Sequence, residues 1–61
     1  MNGIRFSTGD IIDRCNFKGS YPYLVIGIGD YYYKLLSLCA GTIVTLSFID
    51  SHMYQRVSSV L

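Results

Sequence analysis

Apolar and polar positions alternate along most of this chain with a period of two, the signature of half-buried β-strands. The pattern is plainest over Tyr23–Leu38, YLVIGIGDYYYKLLSL, where two runs rich in β-branched and aromatic residues flank Gly29-Asp30. Gly followed by Asp suits a two-residue type II′ loop, whose twist matches that of the strands it joins. The segment therefore predicts a hairpin with strands over Tyr23–Ile28 and Tyr31–Leu38. In the first strand Leu24, Ile26 and Ile28 share one face and Tyr23, Val25 and Gly27 the other. Gly27 marks a bend or a close backbone approach. In the second strand the faces are Tyr31/Tyr33/Leu35/Ser37 and Tyr32/Lys34/Leu36/Leu38. Lys34 favours the first set inside, Leu36 and Leu38 the second, and a bulge near Lys34 reconciles them.

Ala40-Gly41 closes a second hairpin onto Thr42–Phe48, with Val44, Leu46 and Phe48 inward and Thr45 and Ser47 outward. Upstream, Ser7-Thr8-Gly9-Asp10 reads as a turn leading into a short strand that starts at Ile11-Ile12 and ends near Cys15. Asn16–Pro22 is rich in turn formers and reads as a loop. Downstream, Asp50-Ser51-His52 interrupts the pattern through local side-chain hydrogen bonding. A last short strand follows from Met53 or Tyr54 to Val57. Met53, Val57 and Val60 also carry helical spacing, so a helix over Ser51–Val60 is the competing expectation. The whole chain, residues 1–61, is expected to form one small all-β domain.

Composition sharpens this picture in one respect. Hydrophobic residues make up 51% of the chain and charged residues only 15%, and a domain of this size buries a modest core. Apolar surface is left over, which marks partner or self-association sites. Net charge is +1, so an extended basic surface for nucleic acid is not evident in the linear order. Leu35–Ile49 is uncharged but falls short of the roughly 20 residues of a spanning helix, and it alternates with period two, so no membrane segment is expected. Met1–Asp10 lacks the apolar core of a signal peptide. Cys15 and Cys39 are expected to be reduced, buried thiols in a cytoplasmic protein. With one histidine and no Cys-x-x-Cys, metal binding is not expected.

A strand opening with Gly9-Asp10-Ile11-Ile12, a long loop, three consecutive hairpin strands, a tight turn and a final short strand resemble the SH3-like small barrel. Within that group, Gly9-Asp10-Ile11-Ile12 followed by Tyr21-Pro22-Tyr23-Leu24-Val25-Ile26 is similar to the opening of toxin-type endoribonucleases of the MazF/PemK kind. Small barrels of transcription and translation factors are similar to the same degree. The resemblance implies a five-stranded SH3-like barrel with a short 3-10 turn before the last strand. It does not carry activity: those endoribonucleases place an arginine before the proline, where this chain has Tyr21, and they have a C-terminal helical portion too long for this chain.

Candidate chemistry is sparse. His52 has Ser51 beside it and Asp50 two residues before it, but sequence neighbours rarely converge as a triad and Asp-Ser-His is ordinary turn composition. Gly27-x-Gly29 is followed by a strand, not by the helix start a phosphate loop requires. No enzyme and no cofactor are expected. The tyrosines are the remaining signal, six in number with three consecutive. Strand alternation sends Tyr32 to the face opposite Tyr31 and Tyr33. Tyrosine offers rigid amphipathic contact area, so Tyr21, Tyr23, Tyr31, Tyr32 and Lys34 are the expected partner-binding residues. The favoured reading is a homo-oligomeric protein-binding module that modulates or inhibits a partner, in the manner of phage or mobile-element accessory proteins. The alternatives are a nucleic-acid-binding barrel using Arg14, Lys18 and Lys34 beside stacking tyrosines, and a binder of nucleotide-like small ligands with pockets between subunits.

Overall fold

The computed structural model describes residues 5–15 and 21–59. Five antiparallel strands form one sheet: β1 (Asp10–Arg14), β2 (Tyr23–Ile28), β3 (Tyr32–Ser37), β4 (Ile43–Ser47) and β5 (Tyr54–Ser59). A 3-10 turn, Ile49–Met53, links β4 to β5, so the chain after Ser51 takes the strand and not the helix expectation. The order across the sheet is β4-β3-β2-β1-β5. The sheet is open, with β4 and β5 as its two edges. Among the described residues no helix is long and apolar enough to cross a membrane.

Register assigns the two faces. Val25 lies opposite Leu35 and Leu35 opposite Val44, while Tyr33 lies opposite Leu46. Val25, Tyr33, Leu35 and Leu46, with Ile12 and Phe6, supply the buried core, and Tyr23, Phe48 and Tyr54 pack against its rim. Val44, expected inward, is exposed because β4 is an edge strand with no neighbour beyond it. No helix covers this face among the described residues; Phe6 from the segment before β1 and Phe48 from the turn after β4 pack on it against Tyr33. Two bulges interrupt the ladders, and an extra residue bends and twists its strand. One falls in β2 between Val25 and Gly27, opposite Leu35 and Lys34. The other shifts β1 against β5 between Ile11 and Ile12, with Val57 as the extra residue on β5. The bulge expected near Lys34 is thus present, carried by the partner strand. It leaves Tyr33, Leu35 and Ser37 buried, with Tyr32 and Lys34 exposed.

The first hairpin corrects the expected turn. Gly29 donates its amide to the Tyr32 carbonyl at 2.7 Å, so it closes the ladder and Asp30-Tyr31 form the tip. Positive φ occurs only at Gly9 and Gly41 among the described residues, whereas a II′ loop at Gly29-Asp30 requires it at Gly29. Ile28 pairs with Tyr33 and not with Tyr31, as the expected turn would need, and the extra residue in β2 accounts for only part of that displacement. Gly29 has a different use: a Cβ there would stand 2.8 Å from the Tyr32 ring, which lies across the backbone.

The other two turns follow their residues. Asp10 donates its amide to the Ser7 carbonyl at 3.0 Å. With Gly9 at φ +97° in the third position this has the form of a type II turn. The Ser7 amide donates to Asp10 Oδ2 at 2.8 Å. At the second hairpin Ser37 holds both sides of the loop. Its carbonyl accepts the Gly41 amide at 2.8 Å and its hydroxyl accepts the Ala40 amide at 3.1 Å.

Candidate functional site

The expected binding residues fall into two groups at opposite ends of the β2–β3 hairpin. Tyr31 and Tyr32 sit at the tip. The Tyr31 carbonyl accepts the Phe48 amide at 3.0 Å, so its backbone is pinned while its side chain is 80% exposed. Tyr32, 43% exposed, is held by its own ladder bond and by the flat approach of its ring to Gly29. Two tyrosines therefore project from a fixed backbone, with little ordering left to do on binding. Lys34 shares the outer face with Tyr32, opposite Gly27 and Thr45. Tyr32, Lys34, Gly27, Ile28 and Gly29 line a shallow open recess of about 190 Å³.

Tyr21 and Tyr23 lie at the other end of β2, roughly 20 Å away at the usual rise per residue. Tyr21 is exposed. Tyr23 is turned toward the core rim, in edge-on contact with Tyr54 at 6.2 Å between ring centres. Tyr54 is half-buried, and that burial, reinforced by the neighbouring Tyr23, raises its phenol above the ordinary value; Arg14 opposes the shift. The five residues thus form two separate places.

The expected cations are likewise not gathered. Arg14 ends β1 near the Tyr21 end, opposite Tyr54. Its position has the parity of buried Ile12, whereas Lys34 lies on the outer face toward the hairpin tip. Lys18 lies outside the described residues. Arg56 stands 3.9 Å from the buried carboxylate of Asp10.

The Asp50-Ser51-His52 set is occupied by the turn itself. Ser51 is buried and its hydroxyl donates to the Phe48 carbonyl at 2.7 Å. The His52 ring places Nδ1 2.7 Å from the Ile49 carbonyl, and Asp50 is exposed. The cysteines differ from expectation. Cys15 and Cys39 are not joined in a disulfide, but both are exposed and neither belongs to the core. Cys15 follows the end of β1 and Cys39 lies in the second hairpin loop, both outside the strand interiors that build the core.

Exposed apolar residues that the sequence reading did not single out are more telling. Ile43 and Ile49 are 60% and 82% exposed. Both have the parity of Thr45 and Ser47, the positions assigned outward, so alternation carried the signal for them. Ile49 follows Phe48, whose amide bonds to Tyr31, and this places it at the same end of the sheet as the tyrosine pair. Across the outer face, Ile11, Leu24, Leu36 and Ile43 are direct neighbours in one row from β1 to β4.

No family model matches this sequence, and neither a curated protein nor a solved structure does.

Proposed function

We propose that this chain is a non-enzymatic protein-binding module that associates through apolar surface, with its own kind and with a partner whose activity it modulates. One observation carries the reading. Among the described residues ten large hydrophobic side chains are exposed while six form the buried core. Scattered exposed apolar residues are ordinary. An excess over the core, concentrated at one hairpin tip and one sheet edge, favours an interface. Tyr31, Tyr32 and Ile49 offer the aromatic and aliphatic anchors that dominate binding energies. The SH3-like reading of the fold is supported by the strand order β4-β3-β2-β1-β5 and by the 3-10 turn into the last strand. A reducing, cytoplasmic setting belongs to the same proposal.

The nucleic-acid reading is less well supported, because Arg14 and Lys34 lie at opposite ends and on opposite faces. The small-ligand reading places its pockets between subunits, and no observation on the single chain favours it; the recess beside Tyr32, about 190 Å³, is below the roughly 300 Å³ usual for a ligand site within one chain. The test is capture of a host protein on immobilised chain, repeated with Tyr31→Ala and Tyr32→Ala. Each substitution is expected to weaken the complex by about 1–2 kcal/mol, roughly tenfold, with little change between about 50 and 200 mM salt. Binding to single-stranded RNA that collapses over that salt range and depends on Lys34 would overturn the reading.

A further inference from the structure

We infer that β4 is a homodimerisation edge, pairing antiparallel with β4 of a second copy about a two-fold axis at Thr45. The inference rests on the self-association proposed above and names its surface.

The backbone argument comes first. β4 is an edge strand, and its pairing with β3 is regular along its whole length. Ser37 donates to the Thr42 carbonyl and Phe48 donates to the Tyr31 carbonyl. Those bonds turn Thr42 and Phe48 toward β3, and alternation turns Val44 and Leu46 with them. Ile43, Thr45 and Ser47 then direct their amides and carbonyls away from the sheet. Ile43, Val44 and Thr45 are exposed and Ser47 is half-buried, and among the described residues no strand pairs with this edge.

Natural edges are guarded by charge, proline or bulges. The other edge, β5, has Arg56 and a bulge at Val57. β4 has none of these. No charged residue or proline occurs between Lys34 and Asp50, and a net charge of +1 gives little repulsion between copies.

The side chains then select the register and the occupant. An axis at Thr45 sets Thr45 against Thr45, Ile43 against Ser47 and Val44 against Leu46 of the other copy. The outward groups of Ile43, Thr45 and Ser47 make about six new backbone hydrogen bonds in this register. Val44, left 38% exposed at the margin of the core face, gains an apolar neighbour there. On the outer face Ile43 extends the row Ile11-Leu24-Leu36 across the axis toward Ser47 and Tyr32 of the second copy. The two Lys34 side chains stand three strand spacings apart, about 14 Å, beyond the roughly 8 Å screening length at physiological salt. A strand that sets Val44 against Leu46 and Thr45 against Thr45 when laid against itself, with no charge to oppose it, fits a second copy of this chain.

Thr45→Pro tests this, because its missing amide is an outward one and the β3–β4 ladder is left intact. Thr45→Lys, which adds like charges across the axis beside Lys34, is the second variant. Circular dichroism confirms that each variant is folded, and sedimentation equilibrium reads its mass. The expected result is a wild-type dimer of twice 6.9 kDa and folded monomers for both variants. A wild-type oligomer that survives both substitutions would overturn the β4 edge while leaving self-association standing. A wild-type monomer at tens of micromolar, the concentration scale of weak specific association, would remove both.

Discussion

Tyr33 is the residue on which the core turns. It is fully buried, and its ring meets Phe6 at 5.4 Å and Phe48 at 4.8 Å. Its hydroxyl accepts the backbone amides of Arg5 and Phe6, tying the segment before β1 to the third strand. Tyr33→Phe keeps the rings and strands those amides, so it is expected to cost about 1–3 kcal/mol in urea unfolding. A neutral result would show that water replaces the phenol. Tyr54 gives a pH signature. Its raised phenol means that the folded chain holds the proton to higher pH than the unfolded chain does. Its contribution is complete below the ordinary value of 10.0 and is lost as pH rises through the raised folded value. Stability should therefore fall as pH rises above 10.0, and Tyr54→Phe should flatten that fall. An unchanged slope in the variant would assign it to other groups. Because Cys15 and Cys39 are exposed, replacing both with serine should alter stability by less than about 0.5 kcal/mol, with or without reductant. A loss of several kcal/mol would return them to the core.

At the scale of elements, legibility followed periodicity. β1 to β4 could be read from alternation, although which face of β3 is buried stayed open between Lys34 and Leu36. β5, exposed along most of its length, competed with a helix, and the 3-10 turn was implied by the resemblance to small barrels. Pairing is set between strands, and there the reading failed. The turn expected at Gly29-Asp30 forms at Asp30-Tyr31, and Gly27, read as a bend, does not say which residue of Val25-Ile26-Gly27 is the extra one. The separation of Tyr21 and Tyr23 from Tyr31 and Tyr32 likewise follows from antiparallel pairing, which puts the start of β2 far from the tip. Ile43 and Ile49 were within reach of the alternation that assigned Thr45 and Ser47 outward. Gly41 separates backbone from packing effects. It has φ +74° and open space at its missing Cβ, so Gly41→Ala should cost about 1 kcal/mol from backbone conformation alone. Gly29, at negative φ, should tolerate alanine in backbone terms but displace the Tyr32 ring. Binding to the partner is then expected to weaken while thermal stability changes little.

Taken as a whole molecule, this is an open five-stranded sheet with, among the described residues, more large apolar side chains exposed than fully buried in its core, and with one guarded edge and one unguarded edge. The fold leaves β4 with three outward backbone pairs in a charge-free strand, which is a ready template for pairing with another chain. Amide hydrogen exchange over a dilution series tests this most directly. Val44 and Leu46, bonded to β3, are expected to be protected at every concentration. Ile43, Thr45 and Ser47 are expected to be protected only when the protein is concentrated and to exchange rapidly on dilution. Rapid exchange at those three amides at every concentration, with Val44 and Leu46 still protected, would contradict the account.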